Sequence, residues 1–156
     1  MQIRLAKHCD LTRIHELLGQ VLNVHQQVRP DLFKAGARKY TDEELKEILQ
    51  DSKRPIFVYL NDEGIVMGYA FCIVQQHLND NILTDIKTLY IDDLCVDETA
   101  RHQQIGHCLY DYVVEYARSI GCYNVTLNVW ADNIDALQFY RALDLKEQKI
   151  GMEIIL

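Results

Sequence analysis

Hydrophobic positions along the chain switch between two periods, and the switches outline a fold. Gln2 to Ala6 alternates weakly, as a short strand does. Asp10 then precedes Leu11, Ile14, Leu17, Leu18, Val21 and Leu22, the spacing of a helix face with Asp10 as its N-cap. The stretch between Asn23 and Tyr40, mixed in charge and broken by Pro30 and Gly36, reads as a connection. Thr41 and Glu44 form a capping box for a second short helix that ends near Gln50, before Pro55. Ile56 to Leu60 and Ile65 to Val74 are β-branched and aromatic, and Asn61-Asp62-Glu63-Gly64 between them predicts an antiparallel hairpin. His77 to Leu83 interrupts the pattern before a third long strand, Thr84 to Val96. Helical spacing returns from Ile105 to Ile120 and closes at Gly121. A strand from Tyr123 to Trp130 follows, then a short helix from Asn133 to Leu143, then an apolar stretch from Lys146 to Leu156 that closes the sheet. No repeat or linker divides the chain, so residues 1–156 are expected to form one α/β domain.

Composition agrees and narrows the function. Of 156 residues, 49% are hydrophobic and 25% charged, with 2 Pro and 7 Gly, which supports a packed core and excludes collagen-like and disordered readings. Lys plus Arg number 16 against 23 Asp plus Glu, a net charge of -7, so nucleic acid is not an expected partner. The surplus carboxylates lean towards cationic small molecules. Five scattered cysteines without a CxxC pair predict free thiols in a reducing compartment and no metal site. The beginning of the chain is charged from Arg4 onward, and no stretch approaches about 18 apolar residues. A soluble, cytoplasmic protein with no membrane partner is the expectation.

Residues 89–117 carry the most chemistry: a buried strand, a short polar loop, then a helix start containing a glycine. The first amides of a helix lack internal partners and sit at the positive end of its dipole, so such a loop can hold a pyrophosphate without much basic side-chain charge.

The strand Leu89 to Val96, the run Arg101-His102-Gln103-Gln104-Ile105-Gly106 and the segment from Asn133 through Phe139-Tyr140 to Leu145 together resemble the GCN5-related N-acetyltransferase superfamily over essentially the whole chain. The family's loop reads Gln or Arg, two residues, Gly, one residue, then Gly or Ala. Arg101, Ile105 and Gly106 fit, whereas Gln104 stands in place of the first glycine. The resemblance implies a single domain with a mixed, mostly antiparallel central sheet flanked by helices. That sheet is splayed at the cofactor site, so that acetyl-CoA wedges between the strand ending at Val96 and the one starting at Tyr123. It implies that the backbone of Leu94, Cys95 and Val96 pairs with the pantetheine arm and that amides from His102 to His107 surround the pyrophosphate. Asn133 and Ala136 would lie further along the cofactor, with Asn133 equally readable as a helix cap.

Tyr140 resembles the general acid that protonates the departing thiolate, and its other reading is a core aromatic beside Phe139. An amine acceptor must lose a proton before it attacks, and a carboxylate can take it. Asp92 and Asp93 are adjacent in a strand, which should send them to opposite faces, so that only one lines the site. By position Asp92 resembles the acidic residue of polyamine-type members and stands ahead of Asp93, while a purely structural role for both remains open. His25, Arg29 and Asp31 lie in a connection that borders the acceptor pocket in this superfamily. Cys95 reads as a buried, inert thiol. The expected reaction is direct acetyl transfer to a primary amine on a small cationic molecule. The alternatives are acetylation of a protein N-terminus or lysine, and a non-catalytic acyl-CoA-binding domain, which the departure at Gln104 would fit. The apolar final strand could also pair with a second copy to form a homodimer.

Overall fold

A computed structural model describes residues 2–156. The chain forms β1 (Gln2–Leu5), α1 (Leu11–Val28), α2 (Asp42–Gln50), β2 (Ile56–Leu60), β3 (Val66–Gln76), β4 (Lys87–Val96), α3 (Ile105–Ser119), β5 (Asn124–Leu127) and α4 (Ile134–Ala142), with single 3-10 turns at His8–Asp10 and Glu98–Ala100. The five strands make one mixed sheet in sequence order. Its first three pairings are antiparallel, and β5 alone runs parallel to its neighbour β4.

Strand alternation divides the core between the two faces. Ile56, Val58, Leu60, Tyr69 and Phe71 face α1 and α2, packing on Ile14, Leu17, Leu18, Leu45 and Ile48. Phe57, Tyr59, Ala70, Cys72, Leu89 and Ile91 face α3 and meet Ile105, Leu109, Val113 and Ala117. Gly68 lets α3 lie this close, because a Cβ there would meet the Cys95 carbonyl at 2.8 Å and Leu109 at 3.1 Å.

Several local expectations hold. The capping box of α2 is closed by Thr41 and Glu44 with bonds of 3.1 and 2.7 Å. The β2–β3 turn is held by Asn61 Oδ1, which accepts from the amides of Glu63 and Ile65, with Gly64 at φ 78°. Gly121, at φ 73°, ends α3.

Four expectations need correction. The first helix does not stop at Leu22 but runs to Val28, because Val24 and Val28 continue its apolar stripe and Pro30 is the first residue able to break it. Asp10 does not cap it with its side chain; the carboxylate is buried and pairs with Arg4 at 2.7 and 3.0 Å and with the Lys7 amide. Strand β5 spans four residues rather than eight, since β4 diverges from it beyond the Ile91–Leu127 pair. The stretch from Lys146 to Leu156 does not close the sheet: it joins no strand and leaves Ile150, Met152, Ile154, Ile155 and Leu156 exposed.

Candidate active site

The divergence of β4 from β5 creates the site. Parallel pairing runs from Thr88–Asn124 to Ile91–Leu127 and stops, so Asp93 to Val96 pair with β3 on one side and, among the described residues, have no strand on the other. A cleft of about 2670 Å³ opens there, lined by β4, β5, the start of α3, α4 and the C-terminal half of α1.

A β-bulge decides what faces this cleft. Phe71 pairs with Asp93 and Cys72 with Ile91, which leaves Asp92 as the extra residue of β4. The insertion reverses the parity of the strand: Leu89 and Ile91 point to the α3 face, whereas Cys95 points to the α1 face. Asp92 and Asp93 consequently share a side rather than taking opposite faces, and both line the cleft. Lys39, on the loop before α2, confirms the shared side with its Nζ 3.0 Å from Asp92 Oδ2 and 3.7 Å from Asp93 Oδ2.

Asp93 is the more buried of the two and accepts a 3.0 Å hydrogen bond from the Tyr69 hydroxyl. Burial pushes its carboxyl above the usual range, against the opposing effects of Lys39, Tyr69 and His25. Tyr140, half-buried on α4, also feels Asp93. Burial first, then the negative charge of Asp93 and the neighbouring Tyr110 phenol, hold its phenol well above the ordinary value, so the proton stays on Oη. Burial, against the pull of Asp93, lowers the pKa of His25. His25 tilts against Phe33 (5.1 Å between centroids), Phe33 meets Trp130 edge-on (5.8 Å) and Arg29 lies 5.5 Å over Trp130, pinned by Asp31 and Glu153. Helix α1 and the tail thereby form the rim of the cleft.

At the opposite end the loop into α3 is wound tightly. His102 and Gln104 have φ of 64° and 61°, the left-handed region, and Gln104 is the residue immediately before the helix. The Cys108 amide bonds the Gln104 carbonyl, so the amides of Ile105, Gly106 and His107 precede the first intrahelical bond. Arg101, His102, Gln104, Ile105, Gly106 and His107 all border the cleft, and Gln103 is not part of its lining. The Ile105 side chain is in the core. Gly106 has a packing reason as well: a Cβ there would stand 3.1 and 3.3 Å from the Phe139 ring. Asn133 and Ala136 reach the cleft together, and Asn133 Oδ1 accepts from the Ala136 amide at 3.2 Å, so Asn133 caps α4. Cys95 is buried, and burial followed by Asp93 pushes its thiol up to about 12, in keeping with an inert group.

Sequence reasoning missed Lys39, Tyr69 and Asp97. Asp97 follows β4 and caps the next turn: its carboxylate accepts from the Thr99 amide and hydroxyl and pairs with Arg13, fixing the turn that leads to the α3 loop. These partners lie 24 to 84 positions from each other along the chain, except for the local Thr99, and no spacing rule reaches that far.

Among solved structures, a mutant of the BH1408 protein from Bacillus halodurans superposes with a TM-score of 0.95 at 28% identity, covering 100% of this chain and 99% of that one. Glucosamine-6-phosphate N-acetyltransferase from Arabidopsis thaliana shares the fold at TM-score 0.72 and 24% identity (99% and 97% covered). An aminoglycoside acetyltransferase from an uncultured soil metagenomic sample, in complex with sisomicin, does so at 0.73 and 20% (99% and 95%). No curated protein matches the chain. The family model for the acetyltransferase (GNAT) family matches residues 21–144, and with the interrupted sheet and the α3 loop in place the chain belongs to that family.

Proposed function

We propose that this protein is an acetyl-CoA-dependent N-acetyltransferase that acts on a primary amine of a small cationic molecule by direct attack in a ternary complex. One observation carries the reading: the unpaired edge of β4, the wound start of α3, the paired carboxylates Asp92 and Asp93 and the protonated Tyr140 all border one cleft. The residues present fit acetyl-CoA. The free edge at Leu94, Cys95 and Val96 offers amides and carbonyls to an extended arm, and the leading amides of α3, behind Arg101 to Gln104, suit a pyrophosphate. Acetyl-CoA supplies the activated acetyl thioester. The chain's own groups supply the proton traffic: a carboxylate takes the proton of the acceptor ammonium, and Tyr140 Oη donates to the departing sulfur. The bulge and the buried Tyr69–Asp93 bond favour Asp93 over Asp92 as the proton acceptor, because burial raises its affinity for a proton and Tyr69 fixes its orientation. Two relatives in fold are named as acetyltransferases of an amino sugar phosphate and of aminoglycosides, which supports an amine acceptor.

Gln104 no longer supports a non-catalytic reading, since it adopts the left-handed conformation that a glycine would supply. A peptide acceptor keeps support from the volume of the cleft, about 2670 Å³. Thiol release from acetyl-CoA across polyamines, aminoglycosides, amino acids and short peptides tests the reading. Tyr140→Phe should keep acetyl-CoA binding by thermal shift and lose roughly 100-fold or more in turnover. Unchanged turnover removes Tyr140 from the mechanism, and silence across the whole panel removes the catalytic reading.

A further inference from the structure

The loop between α1 and α2 places a lysine where an amine acceptor has to go. Lys39 Nζ is 3.0 Å from Asp92 and 3.7 Å from Asp93, and it lies over two aromatic rings, 5.4 Å from the Tyr40 centroid and 6.0 Å from that of Phe71. Those rings stack on each other at 5.9 Å and 16°, making a single apolar wall. Two carboxylates and an aromatic wall are the chemistry that receives an alkylammonium, through charge-assisted bonds on one side and ring quadrupoles on the other. The occupant is the chain's own. Lys39 is only partly exposed, and its ammonium is stabilised there against burial by Asp93 and then Asp92. Its backbone lies in an irregular segment that begins after Val28 and ends at the Thr41 cap, with Gly36 at φ 65°, so the side chain can leave without unfolding a helix.

We propose that Lys39 is a tethered stand-in for the acceptor: it fills the ammonium position between Asp92 and Asp93 in the free protein, an incoming amine must displace it, and Lys39 thereby sets the threshold of affinity an acceptor has to meet. The inference rests on the acetyltransferase reading above and adds to it a specificity-determining residue. Displacement exchanges one ammonium for another, so the carboxylates are never left without a counter-charge, and an amine that cannot also use the rim formed by His25, Trp130 and Glu153 gains little over the lysine it replaces.

The test separates displacement from a fixed structural ion pair. Binding of n-butylammonium is measured by titration calorimetry without acetyl-CoA, in the wild type and in Lys39→Met. If Lys39 leaves the site open in about one molecule in ten, removing it tightens binding about tenfold. Unchanged or weaker binding by a folded Lys39→Met protein overturns the proposal. Should that variant fail to fold, the wild type still decides: acetic anhydride labelling, mapped by mass spectrometry, should show the labelling of Lys39 rising several-fold relative to Lys46 and Lys149 as n-butylammonium, which itself consumes part of the anhydride, is added. A Lys39 whose labelling ignores the amine is a permanent counter-ion, and the proposal fails. The two readings fail separately. Thiol release with an amine-insensitive Lys39 sinks only this inference, whereas amine-dependent unmasking of Lys39 without thiol release from any acceptor leaves the ammonium site and sinks the catalysis.

Discussion

Substituting Gly106 by alanine tests how the α3 loop and α4 are coupled. The added methyl would stand 3.1 Å from Cζ and 3.3 Å from Cε2 of Phe139, and 3.7 Å from Val96. Carbon atoms in good contact are about 3.5 to 4.0 Å apart, so the ring has to withdraw by roughly half an ångström. It has little room, being flanked edge-on by His107 at 5.4 Å and Tyr140 at 5.1 Å. Overpacking of this kind costs about 1 to 3 kcal/mol, and the better helix propensity of alanine returns up to about 1 kcal/mol, less in a first turn. A net loss of about 1 kcal/mol should lower the melting temperature by roughly 2 to 4 °C in a domain of this size. Turnover should suffer more than stability, because Tyr140 follows Phe139 on α4 and a misplacement of this order costs roughly tenfold in rate. Thermal unfolding and thiol release at saturating acetyl-CoA measure both. Phe139→Leu removes the obstructing ring edge, so Gly106→Ala placed in that background should be nearly neutral, a coupling of about 1 kcal/mol. Equal losses in both backgrounds would refute the contact as the cause and point to the methyl obstructing the loop amides instead.

Gln104 holds a left-handed conformation at a cost of about 1 to 2 kcal/mol, and glycine there would relieve it while losing roughly 0.4 to 1 kcal/mol to unfolded-chain entropy. Gln104→Gly should therefore be neutral to slightly stabilising in chemical denaturation and should tighten acetyl-CoA binding, whereas Gln104→Val should be destabilised; the reverse order would show that the side chain matters and the backbone does not. Asp97 bears on acid stability. Burial alone would raise its carboxyl, but Thr99 and then Arg13 outweigh burial and hold it at about 2, against 3.8 when unperturbed. A depressed carboxyl stabilises the fold above its unfolded value and loses that contribution as pH falls, here between about pH 4 and pH 2. Asp97→Asn should be less stable than wild type near neutrality by about 2 kcal/mol, with the gap closing across that window; a gap independent of pH would assign the loss to shape and not to charge. The uncovered tail, with Ile150 80%, Met152 93% and Ile154 83% exposed and outside the sheet, predicts self-association. Sedimentation velocity should show a dimer that Met152→Asp combined with Ile154→Asp converts to monomer, and a wild-type monomer at every concentration would end that idea.

Local signals were legible wherever the deciding contacts lie within a few residues. Thr41 with Glu44 and Asn61 with Gly64 carry their own hydrogen bonds across three or four positions, and the α3 stripe of Ile105, Leu109 and Val113 needs only a sheet to cover it. Misread elements share a different cause. The early stop assigned to α1 and the overlong β5 follow from judging helix and strand by side-chain pattern alone, when one continues because Val24 and Val28 face the cleft and the other ends because its partner strand turns away. The final apolar stretch has strand composition, but composition does not supply a strand to pair with.

The pair Asp92–Asp93 shows the limit most sharply, because the rule applied to it is sound for a regular strand. Alternation puts adjacent residues on opposite faces, and a choice between two aspartates follows from it. One inserted residue in β4 suspends the rule: opposite Phe71 and Cys72 the strand has three residues instead of two, and both carboxylates turn to the α1 side. Nothing in Ile91-Asp92-Asp93-Leu94 announces the bulge, because its cause is the register that β3 imposes from across the sheet. The same displacement carries Asp93 from the α3 face, where it would be a buried charge among Leu89, Ile91 and Leu109, to the face where Tyr69, Lys39 and His25 meet it. Deleting Asp92 should then restore alternation with the remaining aspartate still on the α1 side beside Tyr69 and Lys39, so the fold should survive with one carboxylate fewer in the cleft. A deletion variant far less stable than Asp92→Ala in chemical denaturation would refute this register and show that Asp92 is not the extra residue.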